Sequence, residues 1–194
     1  MADAKRNFDG DAGTWDLNPG RVKVAADIAG TIRREIPLTA DMDVLDFGCG
    51  TGLLTLALQP FVRSITGVDS SQGMLDGLNQ KIAQGGFTNV STRYLDPDRG
   101  DALSGSYDLV TSSMTLHHIR DVEPLLMQFR QILRPSGILC IADLDEDGGR
   151  FHSSNEGVFH FGFNRGRLAR LFEHAGFQSV RSVQAAEIEK PVAG

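Results

Sequence analysis

Cysteine is scarce in this chain of 194 residues, in which Cys49 and Cys140 are the only two. Two cysteines so far apart fit neither a disulfide framework nor a zinc-binding spacing. The sequence also lacks a signal peptide and any apolar run long enough to span a membrane. These absences predict a soluble cytoplasmic protein without a metal centre and without a membrane partner.

Positive charge is also in short supply. Nineteen Lys and Arg residues stand against 25 Asp and Glu residues, which gives a formal net charge of −6. A chain with a negative net charge has no overall basic surface that would bind nucleic acid or an anionic membrane. A local basic patch is still compatible with this charge. No repeat, low-complexity tract or linker divides the sequence. With 41% hydrophobic residues, we expect one domain over 1–194.

Two common phosphate-binding motifs are absent. No G-x-x-x-x-G-K-[ST] run occurs, and a dinucleotide fingerprint counted from Gly48 would place its last small residue at Leu53. The chain has Asp-x-Gly-x-Gly-x-Gly instead, from Asp46 to Gly52. An apolar strand precedes it and a leucine-rich helical pattern follows, which predicts a strand, a tight glycine turn and a helix N-terminus that favours an anion.

A second acid follows the next predicted strand. Asp69 ends the segment 64–69 and lies 23 residues after Asp46. A carboxylate at the carboxyl end of a parallel strand can accept hydrogen bonds from the vicinal hydroxyls of a ribose. The alternative is a cap for the following helix, although Ser70 or Ser71 can do that capping.

Strands and helices alternate through the rest of the chain. Further strands are predicted at 90–95, 107–113, 138–142 and 179–188, with helices at 19–36, 72–83 and 122–133 and another after Asn164. This alternation predicts a doubly wound, Rossmann-like α/β fold whose mostly parallel sheet has helices on both faces. We expect the C-terminal edge strand to be missing.

These motifs together resemble the class I S-adenosylmethionine-dependent methyltransferases. The resemblance covers about residues 15–190 and includes the glycine motif, Asp69, Asp96, a Leu-His-His run and the Leu-Arg-Pro-x-Gly turn at 133–137. It implies S-adenosylmethionine as cofactor and Asp96 as the acceptor from the adenine amino group, with an Asp-Pro turn as the alternative. The residues it implies for cofactor binding are Trp15, Arg21, Asp46, Gly48, Cys49, Gly50, Gly52, Asp69, Ser70, Met74, Asp96 and Ser112.

The Leu-His-His run at 116–118 follows the fourth predicted strand in the chain. Two adjacent histidines cannot both point into one site from regular structure, so we expect one contact to ligand and one structural role from His117 and His118. Either is a candidate catalytic base, because imidazole titrates near neutral pH. Nucleic-acid amino methyltransferases usually carry an Asn/Asp-Pro-Pro-Tyr run here, and its absence argues against that substrate class.

Residues 1–36 are expected to form an N-terminal lid and helix. Trp15, Asp16 and Arg21 resemble a segment that lies over the cofactor in related enzymes. The alternative for Trp15 is a burial contact that holds the segment on the domain.

Residues 145–163 are expected to form an insertion on the substrate side. The run that begins at Asp143 starts like a calcium loop, but Ser154 stands where the bidentate Glu is needed, so calcium is not expected. Metal-dependent catechol-type methyltransferases use acids at the ends of the fourth and fifth strands, and the fourth offers none here, so magnesium is not expected either. Four phenylalanines between Phe151 and Phe163 either join the core or wall an acceptor pocket.

The function implied by the resemblance is methyl transfer to a small, apolar or aromatic acceptor. Three alternatives stay open: a non-catalytic S-adenosylmethionine-binding module, a nicotinamide-dependent oxidoreductase and a nucleic-acid methyltransferase. Fold by itself does not separate the first of these from an enzyme.

Overall fold

The structure is a computed structural model that describes residues 6–151 and 154–188. Within these residues, five parallel strands form one sheet in the order β3-β2-β1-β4-β5. The strands are β1 (Asp43–Phe47), β2 (Ser64–Asp69), β3 (Val90–Tyr94), β4 (Tyr107–Ser113) and β5 (Leu133–Ala142). The order reverses between β1 and β4, so the carboxyl ends of these two strands flank a crevice of the kind that binds ligands in open α/β sheets.

In the described part of the chain, five α-helices precede, connect or follow the strands. They are α1 (Pro19–Glu35), α2 (Leu53–Leu58), α3 (Gln72–Gly85), α4 (Val122–Ile132) and α5 (Arg165–His174). Their ends follow ordinary capping chemistry. Asn18 lies directly before Pro19, and its side chain accepts hydrogen bonds from the backbone amides of Gly20 and Arg21. Ser71 caps the start of α3, and Gly86 ends α3 in the left-handed conformation.

Helices cover both faces of the sheet, as predicted. Val44 and Ile65 point to the face packed by α1 and α2, whereas Leu45, Phe47 and Val68 point to the face packed by α4 and Phe172 of α5. Adjacent strand residues point to opposite faces, which explains why the neighbouring residues Val44 and Leu45 are both apolar and buried. The doubly wound fold is therefore confirmed.

The predicted sixth strand is wrong. Residues 178–188 contain no strand, and Ser179 has a φ of +56°, which interrupts extended backbone. The carbonyl oxygen of Ala185 accepts from Thr31 Oγ1 at 3.3 Å, and Arg181 pairs with Glu35 at 2.7 Å. This segment thus packs along α1 instead of extending the sheet beside β5.

The predicted turn at 133–137 also differs in form. Its residues belong to β5, which runs from Leu133, and the pairing with β4 shifts register between Tyr107 and Leu109. Ser136 at φ +65° accounts for the local bulge. The turn signal therefore marks an irregularity within a strand.

Candidate functional site

The glycine turn after β1 forms the floor of the site. Gly48, Gly50 and Gly52 all have positive φ, at +70°, +54° and +85°. A Cβ on Gly48 would lie 2.2 Å from Oγ1 of Thr115, and one on Gly52 would lie 2.3 Å from Cδ1 of Leu78. Those two glycines are required by packing. A Cβ on Gly50 would find its nearest neighbour only at 4.0 Å, so this backbone is open towards the cavity described below.

Asp46 lies almost completely buried beneath this turn. Its two oxygens accept from Thr55 Oγ1 at 2.6 Å and Thr111 Oγ1 at 3.0 Å. Burial raises the pKa of this carboxyl to about 6, and the negative charge of Asp69 adds to the effect. The hydrogen bonds from the two threonine hydroxyls act in the opposite direction and lower this pKa. Asp46 is thus held by α2 and β4 with its carboxyl at the edge of the cavity.

Asp69 lies at the carboxyl end of β2, as the strand prediction required. Its Oδ2 accepts from the Gly50 amide at 2.8 Å, and its Oδ1 accepts from the Ser71 amide at 2.9 Å. These bonds fix the carboxylate against the glycine turn. Ser71 caps α3, which leaves Ser70 at the cavity together with Met74.

Cys49 faces the space above Gly67. Burial raises the pKa of its thiol well above the usual value, and the nearby charges of Asp69 and Asp46 act in the same direction. The thiol therefore stays neutral and unreactive, and it does not act as a nucleophile. Cys49 instead contributes its backbone amide and the volume of its side chain to the wall of the site.

A cavity of about 630 Å³ opens above these groups. Its size falls within the roughly 300–1,000 Å³ of cofactor and small-molecule sites. Of the residues predicted from the sequence, it is lined by Trp15, Arg21, Asp46, Gly48, Cys49, Gly50, Asp69, Ser70, Met74, His117 and His118. One site thus brings together groups from strand ends that are far apart in the sequence.

Three predicted residues do not line the cavity. Gly52 begins α2 and packs on Leu78. Ser112 is buried within β4, and its Oγ has no hydrogen-bond partner among the described residues. The Asp96 carboxylate caps the 3-10 helix Pro97–Arg99 by accepting from the Asp98 amide at 3.1 Å. That arrangement is the Asp-Pro turn named above as the alternative.

The N-terminal segment, residues 6–18, covers one side of the cavity. Asp16 accepts from Thr51 Oγ1 at 2.6 Å and forms an ion pair with Lys81. Trp15 lies under the Arg21 guanidinium, which is 3.7 Å from the ring centroid. Both residues line the cavity, so the segment contacts the site as well as the domain.

A second anchor of this segment was not found from the sequence. Asp9 accepts from Ser71 Oγ at 2.5 Å and from the Gly73 amide at 3.0 Å. These hydrogen bonds lower the pKa of the Asp9 carboxyl. No local pattern indicates this contact, because 62 residues separate Asp9 from Ser71.

Both histidines of the Leu-His-His run line the cavity, and the expectation of one ligand contact and one structural role stays a prediction. They lie on the 3-10 helix Leu116–His118, with ring centroids 4.1 Å apart. This tight turn brings the two adjacent rings close together.

The two histidines differ in environment. His117 is buried, and its Nδ1 lies 2.7 Å from Oδ1 of the buried Asp143. His118 is half-buried, and its Nδ1 lies 2.7 Å from the carbonyl oxygen of Gly157. Asp143 was considered in the sequence only as part of a calcium-like run. Its place directly after β5, on the same sheet edge as Asp69, was the signal that could have identified it.

The four phenylalanines of residues 145–163 divide between the two alternatives. Phe151 lines the cavity, whereas Phe163 packs against the core. Phe159 lies under the Arg120 guanidinium, which is 4.4 Å from its ring centroid, and Phe161 is 46% exposed. Phe159, Phe161 and Phe163 border a second, shallower groove.

The described residues contain neither a metal-binding cluster nor a membrane-spanning helix. Across residues 6–151 and 154–188, no group of three or more His, Cys, Asp or Glu side chains could hold a metal ion. No helix in this part of the chain is long and apolar enough to cross a membrane.

Comparisons of this chain with known proteins identify methyltransferases. A family model described as a methyltransferase domain matches residues 23–182. An uncharacterized methyltransferase of Schizosaccharomyces pombe is 32% identical over 161 residues, which are 75% of this chain and 57% of the relative. The chain therefore spans little more than half the length of that relative.

A further curated relative is matched over more of its length. The malonyl-[acyl-carrier protein] O-methyltransferase of Calditerrivibrio nitroreducens is 27% identical over 184 residues, covering 90% of this chain and 70% of the relative.

Solved structures support the same fold. A methyltransferase of Aquifex aeolicus described as dependent on S-adenosylmethionine has a TM-score of 0.75 at 18% identity, covering 93% of this chain and 94% of its own. A methyltransferase in complex with the Haloferax volcanii Trm112 activator has a TM-score of 0.78 at 22% identity. The match covers 98% of this chain and 86% of that methyltransferase chain.

Proposed function

Because the chain belongs to the class I S-adenosylmethionine-dependent methyltransferases, we propose that it transfers the methyl group of S-adenosylmethionine to a small, apolar or aromatic acceptor. The observation that carries this proposal is the single cavity that joins the glycine turn and Asp69 to the two histidines. A cofactor at one end and an acceptor at the other would meet within it.

The cofactor end of the cavity fits a nucleoside with an amino-acid tail. Asp69 is assigned to the ribose hydroxyls, because its carboxylate lies at the cavity and can accept further hydrogen bonds. The open backbone at Gly50, with Gly48 and Cys49, is assigned to the tail. Met74 offers an apolar surface for the adenine. S-adenosylmethionine, when bound here, supplies a methyl group that is already electrophilic, so the protein mainly aligns the reactants and excludes water.

Asp96 and Ser112 stay predictions as cofactor contacts. The Asp96 carboxylate is engaged in capping, but Leu95 and Asp98 on either side of it border the cavity. We therefore assign the adenine edge to the segment Leu95–Asp98. Ser112 lies buried one residue before Ser113, which does line the cavity, so its role would be to shape the wall.

The acceptor end is largely apolar. We assign this end to apolar side chains of the cavity lining, namely Phe8, Met114, Ile119, Phe151 and Ile188. Such a wall favours an apolar or aromatic molecule, and the net charge of −6 disfavours nucleic acid. We propose a small molecule as the partner and keep both monomer and homodimer as assemblies.

His117 and His118 are the proposed catalytic residues. Imidazole is a common proton-transfer group in enzymes, and both residues border the cavity. The buried His117 is already paired with Asp143, so the half-buried His118 is the better candidate to meet the acceptor.

The ribose assignment is tested by calorimetry with S-adenosylhomocysteine. We expect Asp69→Ala to weaken binding by roughly 1–3 kcal/mol, because a charged hydrogen-bond acceptor is lost. Asp76→Ala is the matched control, since it removes the same charge from an exposed position on α3 that does not border the cavity. Unchanged affinity in Asp69→Ala would reject the assignment. Failure of the wild-type protein to bind the ligand at millimolar concentration would reject the proposed function.

A further inference from the structure

The ring of His118 has a defined tautomer. Its Nδ1 lies 2.7 Å from the carbonyl oxygen of Gly157, and a carbonyl oxygen can only accept a hydrogen bond. Nδ1 must therefore carry the proton. In the neutral ring the lone pair is then on Nε2, so Nε2 is the nitrogen able to take a proton from another group.

Gly157 can make this contact because it has no side chain. Its φ is +66°, and a Cβ at this position would lie 2.5 Å from the backbone nitrogen of Arg6 and 2.7 Å from the Arg6 Cβ. The N-terminal segment and the segment 145–163 therefore meet at Gly157. A larger residue would push the two segments apart or move the carbonyl away from His118.

The other side of the His118 ring is also held. The ring of Phe8 packs edge-on against it, with centroids 5.1 Å apart and planes at 78°. Phe8 belongs to the N-terminal segment and lines the cavity. The orientation of His118 thus depends on both segments that enclose the acceptor end.

We propose that Gly157 is a positioning residue, whose carbonyl sets His118 in the Nδ1–H tautomer so that Nε2 accepts a proton from a neutral hydroxyl or amine acceptor. This inference rests on the proposed function. It narrows the acceptor to molecules whose nucleophilic atom carries a proton, rather than carboxylates.

The proposed step balances in atoms and charge. A lone pair on the acceptor oxygen or nitrogen forms the bond to the methyl carbon as the carbon–sulfur bond breaks, and the bonding pair stays on sulfur. The acceptor proton moves to Nε2 of His118. The positive charge of the sulfonium is thereby replaced by that of an imidazolium, whose Nδ1–H still donates to Gly157.

Long-range ¹H–¹⁵N NMR of the histidine rings tests the tautomer without any acceptor. Spectra are recorded at about pH 8.5, two units above the usual imidazole pKa of about 6.5, with His118→Gln used for assignment. We expect a protonated Nδ1 and an unprotonated Nε2 in His118. His160 is an internal control of the opposite kind, because its Nε2 lies 2.9 Å from the carbonyl oxygen of Ile119 and must carry the proton.

The variant Gly157→Ala tests the positioning role. We expect His118 to lose its pure Nδ1–H pattern and shift towards the Nε2–H form favoured by imidazole in water, with the His160 pattern unchanged. Gly148→Ala is the matched control. Gly148 lies in the same segment at φ +68° but has open space where a Cβ would be, so it reproduces the backbone strain alone.

Two results would overturn the inference. One is a wild-type His118 with its proton on Nε2, and the other is a Gly157→Ala protein whose His118 pattern matches wild type. Calorimetry with S-adenosylhomocysteine on the same proteins separates this inference from the proposed function. We expect affinities within about twofold of wild type in both glycine variants, because neither residue touches the assigned cofactor end.

Discussion

At the scale of single residues, the site depends on carboxylates in contrasting environments. Asp46 is buried between two threonines, whereas Asp69 lies at the end of a strand and accepts hydrogen bonds from two backbone amides. Burial raises the pKa of Asp46, and the charge of Asp69 raises it further. The neutral form of Asp46 is therefore favoured in the fold until the pH exceeds about 6.

This raised pKa gives a prediction for Asp46→Asn. Between about pH 4 and pH 6 the folded protein keeps a proton that the unfolded chain has lost, so wild-type stability falls as the pH rises through this window. The variant lacks this dependence. We expect its stability relative to wild type to improve by roughly 2–3 kcal/mol from pH 4 to pH 8, measured by urea unfolding. Asp76→Asn, at an exposed position, should show no such trend. Parallel pH profiles for wild type and Asp46→Asn would contradict the assignment.

At the scale of elements, the N-terminal segment is attached to the domain by two carboxylates. Asp9 binds at the start of α3, and Asp16 binds Thr51 and Lys81. Between them lie Phe8 against His118 and Trp15 under Arg21. The segment therefore encloses the cavity through contacts that involve few buried apolar groups, which is typical of parts that open locally.

We expect Asp16→Ala to increase the opening of this segment. The variant loses a hydrogen bond and an ion pair, which together contribute about 1 kcal/mol or more. Hydrogen exchange of the amides in residues 12–17 should accelerate by roughly fivefold or more, while exchange in β1 stays unchanged. Asp27→Ala provides the comparison, since it removes an equal charge from the exposed pair with Lys23 on α1. Equal exchange in both variants would show that Asp16 does not anchor the segment.

At the scale of the whole molecule, a charge network ties the strands together at the end of the sheet opposite the cavity. Asp43 of β1 accepts from Arg63 at 2.8 Å and from Arg134 of β5 at 2.8 Å. Asp108 of β4 accepts from the Asp43 amide at 2.8 Å and also pairs with Arg134. The Arg63 hydrogen bond is the largest effect and lowers the pKa of the Asp43 carboxyl. Burial opposes it, and the hydrogen bonds from Ser64 and Arg134 lower the pKa further.

The lowered pKa predicts an acid-sensitive contribution to stability. A carboxyl whose pKa falls on folding stabilises the protein above its unfolded pKa of about 3.9 and loses this contribution as the pH falls below it. We expect Asp43→Asn to cost about 1–3 kcal/mol at pH 7 and progressively less as the pH falls below 4. Urea unfolding at low salt measures this difference. Asp41→Asn removes an exposed charge nearby and should cost much less. A cost for Asp43→Asn that does not change with pH would reject the explanation.

How far the sequence predicts this protein depends on the range of the interactions involved. The strand ending at Phe47, the glycine turn and Asp69 were all identified in advance, because apolar periodicity and turn chemistry act over a few neighbouring residues. The helices predicted at 19–36 and 72–83 were found at Pro19–Glu35 and Gln72–Gly85 for the same reason. The sixth strand failed because its hydrogen bonds go to α1, and local propensity contains no information about that choice.

The sequence by itself determined the α/β class, the parallel sheet and the glycine and carboxylate groups at the ends of β1 and β2, since each follows from short-range patterns. Only the tertiary structure decided that both histidines border one cavity, that Asp143 pairs with His117 and that the Gly157 carbonyl meets His118. The physical reason is separation along the chain. These contacts join residues 26 and 39 positions apart, and their geometry exists only once the sheet has brought its strand ends together and the two covering segments have packed over them.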